Sequence, residues 1–214
     1  MNDENVNDAL SATKVVAIIR GMAPEVCDRL AGAYQEGGIR LVEVTFDQLG
    51  DPQTTATAIR AIRNAYSNMH VGAGTVITDA QLDLAISAGA EFIVMPSCNP
   101  AIIRKAKAAG LVTMPGTITP TEMVMAHEAG ADYVKVFPVR AFGPAYIRDV
   151  LAPLKHLKLI AVGGVNPDNA ADYLKAGCVG VGASGSLVNK EWIDAGEWAK
   201  IAAEARRFIS NCNL

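Results

Sequence analysis

The sequence predicts an α/β fold, a single-domain (β/α)8 TIM barrel with a short N-terminal helix, and three observations predict it. Eight short β-branched runs alternate with longer Ala-rich stretches from end to end. The runs are apolar almost throughout, as strands of a parallel sheet covered by helices are. Their starts are separated by 26, 29, 22, 20, 21, 25 and 21 residues, room for one helix and two short loops per unit. Residues 1–214 are therefore read as one domain. An open doubly wound sheet is the structural alternative, disfavoured because such sheets rarely run to eight regular units.

The strands are read, in order, as VVAIIR (15–20), LVEVTF (41–46), HVGAGTV (70–76), FIVMP (92–96), VTMPG (112–116), YVKVFP (133–138), KLIAVGG (158–164) and VGVGASG (179–185). Right-handed crossovers close eight such units into a barrel. The first residues, about 2–13, are read as an extra helix closing the bottom. Gly37-Gly38, Ala88-Gly89, Ala109-Gly110, Ala129-Gly130 and Ala176-Gly177 each precede a strand, where glycine closes a helix in the left-handed conformation. Pro24, Thr78-Asp79, Asn99-Pro100, Thr119-Pro120 and Asn166-Pro167 read as helix starts.

Composition removes several classes of function. Charges are mixed along the chain and the net charge is −3. No basic stripe supports nucleic acid or an anionic membrane as partner. The start, MNDENVNDAL, is polar and acidic where a secretory signal is basic and then apolar. No apolar run approaches the roughly 20 residues that span a bilayer. The cysteines (Cys27, Cys98, Cys178, Cys212) form no CxxC pair, and the histidines (His70, His127, His156) are isolated. Reduced thiols in a cytoplasm, with no metal and no cofactor, is the resulting expectation.

In such a barrel, chemistry sits where strands end and βα loops begin. The polar residues there are Arg20, Glu43 with Thr45 on the same face, Thr75, Lys135, Gly163-Gly164, and the stretch Gly182 to Gly185. Lys135 lies among Tyr133, Val134, Val136, Phe137 and Pro138. Burying an ammonium is costly, so such a lysine tends to lose its proton, and a neutral amine is a nucleophile for Schiff-base chemistry. The competing reading is a lysine that snorkels to water or pairs with Glu43. Glu43, inside LVEVTF, needs a partner or a task. Arg20 either clamps an anion or pairs with Glu43. The glycine-rich ends after the seventh and eighth runs suit backbone binding of a phosphate, or simply shape tight turns.

Taken in order, VVAIIRG, GGIRLVEVTF, VGAGTV, FIVMP, MPGTITPTE, YVKVFP and AVGGV resemble the 2-keto-3-deoxy-6-phosphogluconate / 4-hydroxy-2-oxoglutarate (KDPG / KHG) aldolase family, across about residues 13 to 188. The resemblance implies a class I, metal-independent aldolase with a (β/α)8 fold, usually a homotrimer. It implies cleavage of a 2-keto-3-deoxy-6-phospho sugar acid or 4-hydroxy-2-oxoglutarate to pyruvate plus an aldehyde, glyceraldehyde 3-phosphate or glyoxylate. Lys135 would be the Schiff-base lysine and Glu43 the general acid/base. Arg20 and Thr75 would hold the acidic end, Pro96 would shape the pocket floor, and Gly163, Gly164 and Ser184 would bind phosphate.

Two departures bear on the substrate. Gluconate-type members often carry an arginine four residues after the glutamate, where this chain has Asp47; members acting on the 6-phosphogalactonate epimer also lack that arginine. The last loop reads VGASGSL rather than GGSWL, so Ser186 competes with Ser184. The alternatives are a 6-phosphogalactonate-type aldolase, a sugar-phosphate isomerase or epimerase, and a phosphate-ligand-binding barrel.

Overall fold

A computed structural model of the chain describes residues 5–213. Its strands are β1 Val15–Ile19, β2 Leu41–Thr45, β3 His70–Gly74, β4 Phe92–Val94, β5 Val112–Met114, β6 Gly116–Thr117, β7 Val134–Val136, β8 Leu159–Val162 and β9 Gly180–Ala183. They pair in parallel in the order β5-β4-β3-β2-β1-β9-β8-β7-β6. The two ends of that order are halves of one segment, interrupted at Pro115. Backbone hydrogen bonds from Tyr133 N to Thr113 O (3.2 Å) and from Lys135 N to Pro115 O (2.9 Å) carry the pairing across the gap. The sheet is thus an eight-staved barrel, and the fifth predicted strand is one stave broken where proline has no N–H to donate.

The helices are α1 Val6–Thr13, α2 Pro24–Glu36, α3 Pro52–Ala65, α4 Asp79–Ser87, α5 Pro100–Ala108, α6 Pro120–Glu128, α7 Gly143–Leu151, α8 Ala170–Lys175, α9 Lys190–Asp194 and α10 Trp198–Cys212. Thr78 and Thr119 cap α4 and α6 through capping boxes with Gln81 and Glu122, and Asn99 caps α5. Gly89 and Gly177 adopt φ of 83° and 112° after α4 and α8, the left-handed stop that the sequence signals. Asn166-Pro167 does not start a helix directly. Asn166 Oδ1 accepts from the N–H groups of Asp168 and Asn169, making a turn that delays α8 to Ala170. The N-terminal helix starts at Val6 because the side chain of Asn5 caps it; residues 2–4 of the expected helix lie outside the described residues.

Alternation along the strands separates two cores. Val15, Ala17, Ile19, Val42, Val44, Val71, Ala73, Ile93, Val134, Val136 and Ala161 face outward and pack against the helices. Val16, Ile18, Leu41, Phe92, Val94, Met114, Tyr133, Ile160 and Val162 fill the barrel interior, closed from below by Val6, Ala9 and Leu10 of α1. Gly72 leaves the space that the Phe92 ring occupies, since a Cβ there would stand 2.3 Å from the ring. No described helix is long and apolar enough to cross a membrane.

Candidate active site

The period of two along a strand puts Glu43 and Lys135 on the interior face, one from β2 and one from β7. Glu43 lies two residues after Leu41 and Lys135 two after Tyr133, both interior residues. They are 2% and 5% exposed, and both line one small cavity with Val16, Ile18, Val94, Met114, Ile160, Val162 and Gly182. Apart from these two charged groups its walls are apolar. Glu43 has its room because β3 ends in glycine: a Cβ on Gly74 would lie 1.8 Å from Glu43 Oε1. The Nζ of Lys135 stands 4.9 Å from the centroid of the Phe137 ring.

Burial decides the ionisation of both groups. Desolvation pushes the Lys135 amine below the ordinary lysine value, with Glu43 opposing the shift and Arg20 reinforcing it. Desolvation likewise raises the Glu43 carboxyl, against the attraction of Lys135 and Arg20. In both cases the loss of water outweighs the partner's charge. The pair is not closed into a direct ion pair among the described residues, so the amine is not consumed as a structural cation.

A second cavity opens beside the first and shares Ile18, Val162 and Gly182 with it. Its lining adds Arg20, Arg140, Gly163, Gly164, Asn166, Ser184, Gly185 and Ser186, among others, and contains no carboxylate. Gly163 and Gly164 have φ of 98° and 89°. A Cβ on Gly163 would crowd the Phe137 ring at 3.1 Å, so the turn must be glycine to lie this close to the strand bearing Lys135. Ser184 and Ser186 both face this cavity, and the buried Ser186 Oγ has no hydrogen-bond partner.

Lys135, Glu43, Arg20, Gly163, Gly164 and Ser184 are therefore brought together around two adjoining cavities. Thr75 and Pro96 line neither. Thr75 follows Gly74 with φ of 56°, a strained conformation for a β-branched residue, and its carbonyl accepts from Gln48 Nε2 at 3.0 Å. Gln81 Nε2 in turn donates to Gln48 Oε1 at 3.0 Å, tying the loops after β2 and β3 together. The Pro96 carbonyl abuts Gly116, the β6 residue opposite Lys135, and a Cβ on Gly116 would lie 2.4 Å from it. Asp47 turns aside: its Oδ1 accepts from Leu49 N, and it lines a separate cavity with Gly21, Thr45, Asp51 and Thr54. Arg140 went unread in the sequence, although a polar residue five positions after the lysine on the same strand-to-helix connection was a usable signal. Among the described residues no group of three or more His, Cys, Asp or Glu is placed to hold a metal ion.

Comparison with known proteins bears on this arrangement. A family model described as KDPG and KHG aldolase matches residues 6–204. The 2-dehydro-3-deoxy-6-phosphogalactonate aldolase of Escherichia coli (strain K12) is 39% identical over 81% of this chain and 83% of that protein. The 2-dehydro-3-deoxy-phosphogluconate aldolase of Treponema pallidum (strain Nichols) is 33% identical over 94% of this chain and 95% of that protein. Among solved structures, KDPG aldolase from Legionella pneumophila with pyruvate captured as a covalent carbinolamine intermediate superposes with a TM-score of 0.84 at 25% identity, covering 93% of this chain and 95% of that one.

Proposed function

The chain belongs to the KDPG and KHG aldolase family, and from that premise we propose that it cleaves a 2-keto-3-deoxy-6-phospho sugar acid to pyruvate and an aldehyde through an imine on Lys135. One observation carries the reading: a buried amine and a buried carboxyl share an apolar cavity that adjoins an arginine-lined cavity free of carboxylates.

The steps follow from the groups present. Lys135 Nζ, as the free base, attacks the C2 ketone, and the Glu43 carboxylic acid protonates the carbinolamine hydroxyl, which leaves as water to give a protonated imine and the Glu43 carboxylate. Glu43, directly or through one water, takes the C4 hydroxyl proton. The C3–C4 bond breaks, its electron pair passes into the imine to give an enamine, and the aldehyde leaves. Glu43 returns its proton to C3, and water hydrolyses the resulting protonated imine to pyruvate and free Lys135, the released proton going back to the Glu43 carboxylate. One carboxyl serves as base and then as acid because burial moves its ionisation toward neutrality. Arg20 holds the substrate carboxylate near the amine, and Thr75 supports it from the end of β3. The anion loops Gly163, Gly164 and Ser184 receive the phosphate.

The 6-phosphogalactonate epimer is the favoured substrate. Asp47 stands where gluconate-type members carry an arginine, and the phosphogalactonate relative is the more similar of the two enzymes, at 39% against 33%. The same reading makes the protein a cytoplasmic homotrimer of carbohydrate metabolism, and sedimentation of the purified chain checks the trimer. The direct test is pyruvate release from a panel of 2-keto-3-deoxy-6-phospho acids and 4-hydroxy-2-oxoglutarate, with Asp47→Arg alongside. The galactonate epimer should be preferred, and Asp47→Arg should move preference toward the gluconate epimer. Pyruvate from none of the panel would overturn the reading.

A further inference from the structure

We infer that Arg140 is the specificity-determining cation of this site: its guanidinium recognises the phosphate monoester at the far end of the substrate and sets the preference for a phosphorylated acid over the same acid without phosphate. For the identity of the substrate, the inference rests on the aldolase reading above.

Arg140 belongs to a single 3-10 turn, Val139–Ala141, just after β7. Two contacts fix it over the anion loop. Its backbone N–H donates to Gly163 O at 3.1 Å. Its stem lies across Gly164, where a Cβ would come within 2.7 Å of Arg140 Cβ and 3.1 Å of Cδ. Gly164 thus supplies the bed for an arginine stem, which a tight turn alone does not require. The turn therefore seats Arg140 on the loop expected to hold phosphate.

Charge points the same way. Arg20 and Arg140 are the charged groups of the cavity lining, which has no carboxylate. Arg140 makes no side-chain hydrogen bond or ion pair among the described residues, so its fork is available to a ligand. The two arginines are also separable. Arg20 acts on the ionisation of both Lys135 and Glu43, whereas Arg140 acts on neither. Arg20 is accordingly the cation of the reacting end and Arg140 that of the distal end. A guanidinium fork matches the oxygens of a phosphate dianion bidentately, which a neutral hydroxyl end cannot reproduce.

Inorganic phosphate titrated calorimetrically into the unaltered chain, Arg140→Gln and Arg140→Lys reads this contact without reference to turnover. In parallel, KM and kcat are measured for a 2-keto-3-deoxy-6-phospho acid and for the same acid without phosphate. Arg140→Gln should weaken phosphate binding by about tenfold and raise KM for the phosphorylated acid by a similar factor. Its kcat should stay within about twofold, KM for the unphosphorylated acid should not change, and Arg140→Lys should fall between. Phosphate affinity unaltered in Arg140→Gln, no phosphate binding by the unaltered chain, or equal loss for both acids would overturn the inference. If phosphate binding depends on Arg140 but no acid yields pyruvate, the anion contact stands and the aldolase reading falls.

Discussion

Lys135 and Glu43 sit where a charged form is costly, and each titrates according to the other and to Arg20. The signs are fixed by electrostatics. Arg20 disfavours an ammonium at Lys135, so Arg20→Met should raise the lysine's pKa. Glu43 favours the ammonium, so Glu43→Gln should lower it further. The pH dependence of Lys135 acetylation by acetic anhydride, followed by peptide mass, measures both. Its midpoint should lie below that of an exposed lysine and move in opposite directions in the two variants. Shifts in one direction would mean that the three groups do not share a field. Lys135 and Glu43 were legible in the sequence because a charge inside a β-branched run breaks the pattern around it. Ser186 was legible only as an alternative to Ser184, and Arg140 was not legible at all: polar residues in connections are ordinary, and only folding brings these two to one cavity.

The end of β3 shows what an element contributes that a single side chain does not. Gly74 makes room for the Glu43 carboxylate, and Thr75 then bends the chain with positive φ. Gly74→Ala would push the carboxylate aside, and a displacement near 1 Å costs about 10²-fold in rate. Pyruvate release should fall by that order and the thermal midpoint should fall with it, because the clash reaches Cδ and Cγ of the buried Glu43 as well as Oε1. An unaltered rate would mean that Glu43 needs no such room. Thr75→Gly should relieve a strain of about 1–3 kcal/mol, partly offset by the entropy of glycine. It should melt slightly higher yet show a raised KM, checked by calorimetry and steady-state kinetics. The GAGT motif was visible in the sequence as a strand end, but its spatial reason was not, since Glu43 lies 31 residues earlier. Strand breaks were equally hidden: Pro115 splits a stave, and the Asn166 turn delays α8, through hydrogen bonds that periodicity does not encode.

At the scale of the whole molecule, the barrel separates stability from chemistry. Its lower end is sealed by α1, with Leu10 1% exposed in the interior core, and its upper end carries the two cavities. Leu10→Ala should cost about 3 kcal/mol and lower the thermal midpoint by roughly 6–12 °C. Below that midpoint kcat/KM should be unaltered, because the change lies at the opposite end from Lys135; a large loss at low temperature would contradict the separation. The barrel and its eight units were legible from spacing alone. The closeness of β2 to β7 across the interior was not, because 92 residues separate Glu43 from Lys135 and only closure of the sheet brings them together. The central claim is that closure puts a neutral amine at a ketone's reach. Borohydride reduction in the presence of pyruvate, followed by peptide mapping, tests it most directly. A stable pyruvate adduct on Lys135, lost in Lys135→Ala, is the predicted result, and an adduct on another lysine, or none at all, would contradict it.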